Sequence, residues 1–179
     1  MPGIELLPMP LEVPYWWARI LDGLDPPEAA YGPECHAARP RPEDVYYCAL
    51  LDPEAAAAMG RRDGDRMVGL AYTQRPAPTT RVFGLGLLRE YRHRGFGPLL
   101  RDTILAHCFS EPEVAKVESQ IYTSNAHSMG ALHGKYARMR EEGRQRETIV
   151  VRGRPYDRVL FGITRGEYEG LSVSVARLP

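Results

Sequence analysis

Apolar residues fall into short runs broken by proline and glycine, which reads as short strands interleaved with helices. Ile4 to Leu7 predicts a first strand, and Tyr15 to Asp22 carries apolar residues at helical spacing. Tyr46 to Leu51 reads as a buried strand, and Asp52 to Ala58 as a connecting turn or short helix with proline at its beginning. Met67 to Thr73 and Arg81 to Leu88, joined through Pro76-Ala-Pro78, read as an antiparallel hairpin. From Pro98 to Phe109, Leu100, Ile104 and Cys108 share one face with Leu99, Leu105 and Phe109 beside it, which predicts an amphipathic helix. Val114 to Thr123 predicts a strand, Ala126 to Met139 a helix, and Glu147 to Arg152 and Arg158 to Thr164 a final pair of strands. Strand, helix, three strands, helix, strand, helix and two strands make an α/β (α+β) chain with a mixed, mostly antiparallel sheet and at least one parallel crossover.

One segment interrupts this order. Asp25 to Glu43, with Pro26-Pro27, Gly32-Pro33 and Pro40-Arg-Pro42, cannot hold a regular element of useful length, because proline fixes φ and removes backbone donors. It reads either as a mobile functional loop, at about 24–44, or as a disordered insertion. The chain's 179 residues are the length of one domain, expected to span 1–179. Lysine plus arginine and aspartate plus glutamate both number 23, so no global field favours nucleic acid or an anionic membrane. Any anionic ligand must therefore be held by a local site. No apolar run approaches the roughly 20 residues that cross a bilayer, and the start lacks the basic and apolar regions of a signal peptide, so a cytoplasmic protein is expected. Cys35, Cys48 and Cys108 form no C-x-x-C pair and the histidines are scattered, so no metal is expected.

The informative segment is Leu85-Gly-Leu-Leu-Arg-Glu-Tyr-Arg-His-Arg-Gly-Phe-Gly-Pro98, a strand passing through a basic, glycine-containing turn into the amphipathic helix. A helix N-terminus presents unpaired N–H groups and about half a positive charge, so anions bind there. Gly95 and Gly97 allow the backbone close to a phosphate, and Arg92 and Arg94 add local charge. The common phosphate signature G-x-x-x-x-G-K-[ST] is absent. Arg92-His-Arg-Gly95-Phe-Gly97 instead resembles the acetyl-CoA motif [Q/R]-x-x-G-x-[G/A] of the GNAT superfamily of N-acetyltransferases. Asn125-Ala-His-Ser128 is similar to the N-x-x-S of the branch that includes ribosomal-protein N-terminal acetyltransferases, although asparagine also favours a helix cap whatever the ligand. Glu142-Gly143, Arg146, Tyr156-Asp157 and a last strand ending near Tyr168-Glu169 resemble that branch's tail.

The resemblance implies a GNAT-like sheet of about six to seven strands flanked by helices, and transfer of an acetyl group from acetyl-CoA to a primary amine, on a protein N-terminus or a small molecule. Backbone groups of Leu85 and Leu87 would pair with the pantetheine arm. Those of Arg92, His93, Arg94, Gly95, Phe96 and Gly97 would hold the pyrophosphate, Asn125 would touch the pantetheine or orient its helix, and Ser128 would lie near the thioester sulfur. Two departures stand out. Pro98 removes one N–H from the turn, and the position seven residues after Asn125, where many relatives carry the acid tyrosine, is Leu132. Ser128, His133, Tyr136 or water is left to protonate the thiolate. An amine nucleophile must lose a proton, and Glu118, which shares a strand face with Gln120 and Tyr122, is the carboxylate candidate for the base. A homodimer stays open. Two other readings compete: a non-catalytic acyl-CoA-binding protein of the same fold, and a polyanion-binding module built on Arg138, Arg140, Arg144, Arg146, Arg152, Arg154 and Arg158. The interleaved Glu141, Glu142, Glu147 and Asp157 argue against nucleic acid.

Overall fold

The computed structural model describes residues 3–9, 44–62, 65–133 and 138–175. The helical spacing from Tyr15 to Asp22 and the proline-rich stretch from Asp25 to Glu43 lie outside them. Strand β1 (Ile4–Met9) is followed by β2 (Val45–Leu51), the short helix α1 (Pro53–Ala58), β3 (Met67–Ala77) and β4 (Thr80–Leu87). A 3-10 turn over Arg89–Tyr91 leads into α2 (Phe96–Phe109), then β5 (Lys116–Tyr122), α3 (Ala126–His133), β6 (Arg140–Val151), β7 (Arg154–Thr164) and α4 (Arg165–Val175).

The sheet order is β1-β2-β3-β4-β5-β7-β6, and only the β4–β5 pair is parallel. The mixed, mostly antiparallel seven-stranded sheet matches the expectation from sequence. Tyr47, Ala71, Phe83, Val117 and Phe161 lie on the face covered by α2, whose Leu100, Ile104, Leu105 and Cys108 are wholly buried against it. On the opposite face stand Tyr46, Tyr72, Gly84 and Glu118, each in register with its neighbour or one pair removed. The pairing of β3 and β4 depends on Gly69, where a β-carbon would lie 2.1 Å from the Gly86 carbonyl oxygen.

Several boundaries differ from the sequence expectation. The hairpin turns at Pro78-Thr79 rather than at Pro76-Ala-Pro78, with β3 running on to Ala77. The helix expected from Ala126 to Met139 is described only to His133, and Met139 is a buried bend before β6. β6 begins at Arg140, not Glu147, because an exposed edge strand with two bulges carries no apolar alternation to read. The chain after Thr164 turns into α4, so Tyr168 and Glu169 are helical. Tyr168 stacks on Phe109 with ring centroids 4.7 Å apart, which closes the end of α2.

Burial pushes the Cys108 thiol up to about 12. The folded chain therefore keeps that proton where the unfolded chain, titrating near 9, has lost it. Stability is expected to stay level in this respect below about pH 8 and to fall by up to about 1 kcal/mol per pH unit between pH 9 and 12. Tyr46, Tyr47 and Tyr91, raised chiefly by burial, steepen the same fall. Thermal melts at pH 8 and pH 10 check it. A Cys108→Ala variant should show a shallower loss, and an equally steep one would refute the assignment.

Candidate functional site

β4 and β5 pair only at Thr80–Lys116, Arg81–Val117 and Val82–Glu118. Beyond those three positions they diverge, because β5 stays paired with β7 through Tyr122–Arg158 while β4 stays paired with β3 through Leu87–Gly69. The result is a wedge-shaped opening, with the C-terminal half of β4 on one side and the end of β5 on the other. Leu85 stands in that unpaired half and is 38% exposed, an apolar side chain beside backbone without a ladder partner on the β5 side.

The turn after β4 is built by backbone conformation. His93 has φ +57° and Gly95 φ +86°, and Gly95 caps α2 without a side-chain hydrogen bond. The left-handed cap stands at the positive end of a 14-residue helix, whose first N–H groups have no intrahelical acceptor. A β-carbon on Gly95 would meet nothing within 4 Å, so the glycine answers to backbone conformation and not to crowding. Below the turn, Tyr91 and Phe96 are buried edge to face with centroids 5.3 Å apart, fixing where the turn sits. Pro98 is the third residue of the helix rather than the first, still in the turn whose N–H groups have no helical acceptor.

The sequence-derived residues divide in this geometry. His93, Arg94 and Gly95 are exposed at the turn, with Gly97 half-buried behind them. Arg92 is turned inward, and its Nε and Nη2 both donate to the Leu87 carbonyl at 3.1 Å. Its charge therefore braces the exit of β4, and that carbonyl is engaged within the chain. Across the opening, Asn125 accepts from the Ser128 backbone N–H through Oδ1 at 3.1 Å and so caps α3. The cap places Ser128 in the first turn of α3, half-buried. Leu132 is packed into the core, so the position that bears an acid in many relatives is a hydrophobic contact here. Tyr136 lies outside the described residues, as does the side chain of His133.

Glu118 lies on the sheet face away from α2, where the opening begins. It is not isolated: Lys116 Nζ lies 2.9 Å from Glu118 and 2.6 Å from Glu142, and these two bonds raise the lysine pKa, Glu142 contributing the larger share. Sequence reasoning missed Lys116 and Glu142 as neighbours of Glu118, since Glu142 arrives from β6 by way of β7. Among the described residues, no group of three or more His, Cys, Asp or Glu side chains is arranged to hold a metal ion.

A model of the acetyltransferase (GNAT) family matches residues 17–134, which includes β2 to α3 and the whole opening. The chain belongs to the GNAT acetyltransferase family. This GNAT chain is 35% identical over 85 residues to the SPbeta prophage-derived uncharacterized N-acetyltransferase YokL of Bacillus subtilis (strain 168). That match covers 48% of this chain and 47% of YokL, so the chain spans about half the length of the curated relative. The structure of spermidine N-acetyltransferase from Vibrio cholerae in complex with CoA and spermine superposes with a TM-score of 0.69 at 13% identity, over 93% of this chain and 98% of the other. That of smu.2055 from Streptococcus mutans UA159 gives 0.64 at 16% identity, over 89% and 98%. The likeness to the spermidine N-acetyltransferase shows that the fold is GNAT-like. The finer resemblance to the ribosomal-protein branch is not supported: several of the neighbours found are spermidine acetyltransferases. No helix of the described residues is long and apolar enough to cross a membrane.

Proposed function

We propose that this GNAT chain acts as one domain that transfers an acetyl group from acetyl-CoA to a primary amine within a ternary complex. The observation that carries this reading is the divergence of β4 from β5 directly before a left-handed, glycine-capped helix N-terminus. An anionic ligand on that N-terminus, with an extended arm reaching between two strands, fits that pair of features. The turn from Arg92 to Gly97 would hold the pyrophosphate through backbone N–H groups and the charge of Arg94. The unpaired edge of β4 at Leu85, and the Leu87 backbone apart from its engaged carbonyl, would pair with the pantetheine arm. Acetyl-CoA supplies an activated thioester carbonyl. A β4 N–H near Leu87 would donate to the oxygen that gains charge during attack.

The amine approaches from the face opposite α2, where Tyr46, Tyr72 and Glu118 stand. Tyr46 and Tyr72 have ring centroids 5.8 Å apart, and the Tyr72 ring occupies the space over Gly84 on β4. Aromatic faces and a carboxylate are suited to an ammonium group. Glu118 draws the incoming ammonium and takes its proton by way of water, with Lys116 fixing the carboxylate's position. Ser128, at the first turn of α3, is the proposed relay: it gives its hydroxyl proton to the departing thiolate and takes in return the proton that the acylated nitrogen sheds. The similarity to a protein crystallised with CoA and spermine supports small cationic amines as the first acceptors to test.

Thiol release from acetyl-CoA, followed with a chromogenic disulfide against diamines, polyamines, aminoglycosides and peptides with free N-termini, tests the reading. Amine-dependent release for at least one class is expected. Tight acetyl-CoA binding without release for any class would favour the non-catalytic reading. Salt-dependent binding to polyanions with no acetyl-CoA affinity would favour the arginine-rich module.

A further inference from the structure

His93 and His127 reach the site from opposite sides of the opening. His93 is in the turn that follows β4, held at φ +57°, a conformation uncommon outside glycine. His127 is the second residue of α3, which follows β5. The two rings meet edge to face, with centroids 4.9 Å apart and planes at 70°. Both residues are exposed, so burial does not force them together. A bare edge-to-face contact is worth about 1 kcal/mol, no more than the roughly 1–2 kcal/mol that a left-handed backbone costs a side-chain-bearing residue.

The pair does have the chemistry and spacing of two ligands to one ion. Neutral imidazole is the commonest protein ligand for transition metals. A tetrahedral ion about 2.0–2.1 Å from one nitrogen of each ring sets the ring centres roughly 5 Å apart, the separation seen here. No group of three or more metal-binding side chains forms among the described residues, so water would fill the remaining positions. Binding would be weaker than at a four-ligand structural zinc site.

We propose that His93 and His127 together bind a divalent transition-metal ion, Zn2+ or the nitrogen-seeking Ni2+ and Cu2+. The turn belongs to the β4 side of the opening and α3 to the β5 side, so a metal bridge between them spans its mouth.

Calorimetric titration of untagged, chelator-stripped protein with Zn2+ and, separately, Ni2+ tests the site. One ion per chain is expected, with affinity at least tenfold lower in His93→Ala and in His127→Ala, and metal-free melting temperatures lowered by no more than a few degrees. Affinity unchanged in both variants would show that the ion binds elsewhere, for instance at a cysteine, and would overturn the site. Failure of the natural chain to bind either ion overturns the site as well.

Discussion

Replacing Gly95 by glutamate is expected to weaken acetyl-CoA binding at least about 100-fold, roughly 3 kcal/mol. The residue caps α2 at φ +86°, at the helix end where the pyrophosphate is proposed to sit. A carboxylate there stands within a few ångströms of a multiply charged anion, and one such pair is worth about 4 kcal/mol at 4 Å with an effective dielectric near 20. It also cancels the partial positive charge of the helix N-terminus. Gly95→Ala separates charge from conformation. Nothing lies within 4 Å of the added carbon, so alanine meets only the left-handed backbone cost of about 1–2 kcal/mol. Both variants should melt a few degrees lower, by similar amounts, while only the glutamate variant loses acetyl-CoA affinity in calorimetry. A Gly95→Glu chain that binds acetyl-CoA as the natural one does would remove the turn from the site and sink the proposed function.

The second large effect is on stability. Arg165, the first residue of α4, holds the segment between α2 and β5 in a single fork. Its Nε donates to the Val114 carbonyl at 2.9 Å, Nη1 to Phe109 at 3.1 Å and Nη2 to Glu111 at 2.6 Å, and its guanidinium lies 5.3 Å from the Phe109 ring centre. The backbone N–H of Arg165 donates to Ala115 as well. Carbonyls at the end of a helix lack intrahelical partners, and an arginine there satisfies several while its charge suits the negative helix end. Arg165→Ala is expected to cost about 2–4 kcal/mol, using the range for hydrogen bonds to charged groups and allowing for water to replace part of the loss. For a chain of this size that lowers Tm by roughly 5–15 °C. Arg165→Lys should recover little, since a point ammonium cannot occupy three divergent acceptors. A Tm within two degrees of the natural value for Arg165→Ala would mean that α4 docks through Tyr168 and Phe109 alone.

The turn after β4 was legible because its chemistry is local. Gly95, Gly97 and the adjoining basic residues lie within six positions of one another, and the amphipathic run that follows fixes where the helix must be. The same locality made the arginines hard to tell apart. Arg92 and Arg94 look alike in the chain, yet Arg92 folds back onto the Leu87 carbonyl and Arg94 stays exposed. Asn125 was legible as a cap, and the Ser128 N–H to Oδ1 bond makes it one. Glu118 was found by strand alternation, but its link through Lys116 to Glu142 was not, because it crosses from β5 over β7 to β6. The N-terminal part of β6 escaped for another reason. Arg140 to Thr148 is almost wholly polar and exposed, and a strand that buries no face leaves no period in the sequence.

By itself the sequence determined a mixed sheet of about six to seven strands with at least one parallel crossover, and a basic, glycine-containing turn before α2, since each rests on residues close together in the chain. Only the tertiary structure decided that β4 and β5 part after three pairs. That divergence depends on each strand keeping its outer partner, β3 for one and β7 for the other, and hydrogen bonding between distant segments leaves no mark on local pattern. The meeting of His93 with His127 belongs to the same class: two residues 34 positions apart become neighbours only because the strands that carry them diverge and the helices that follow begin on either side of the gap.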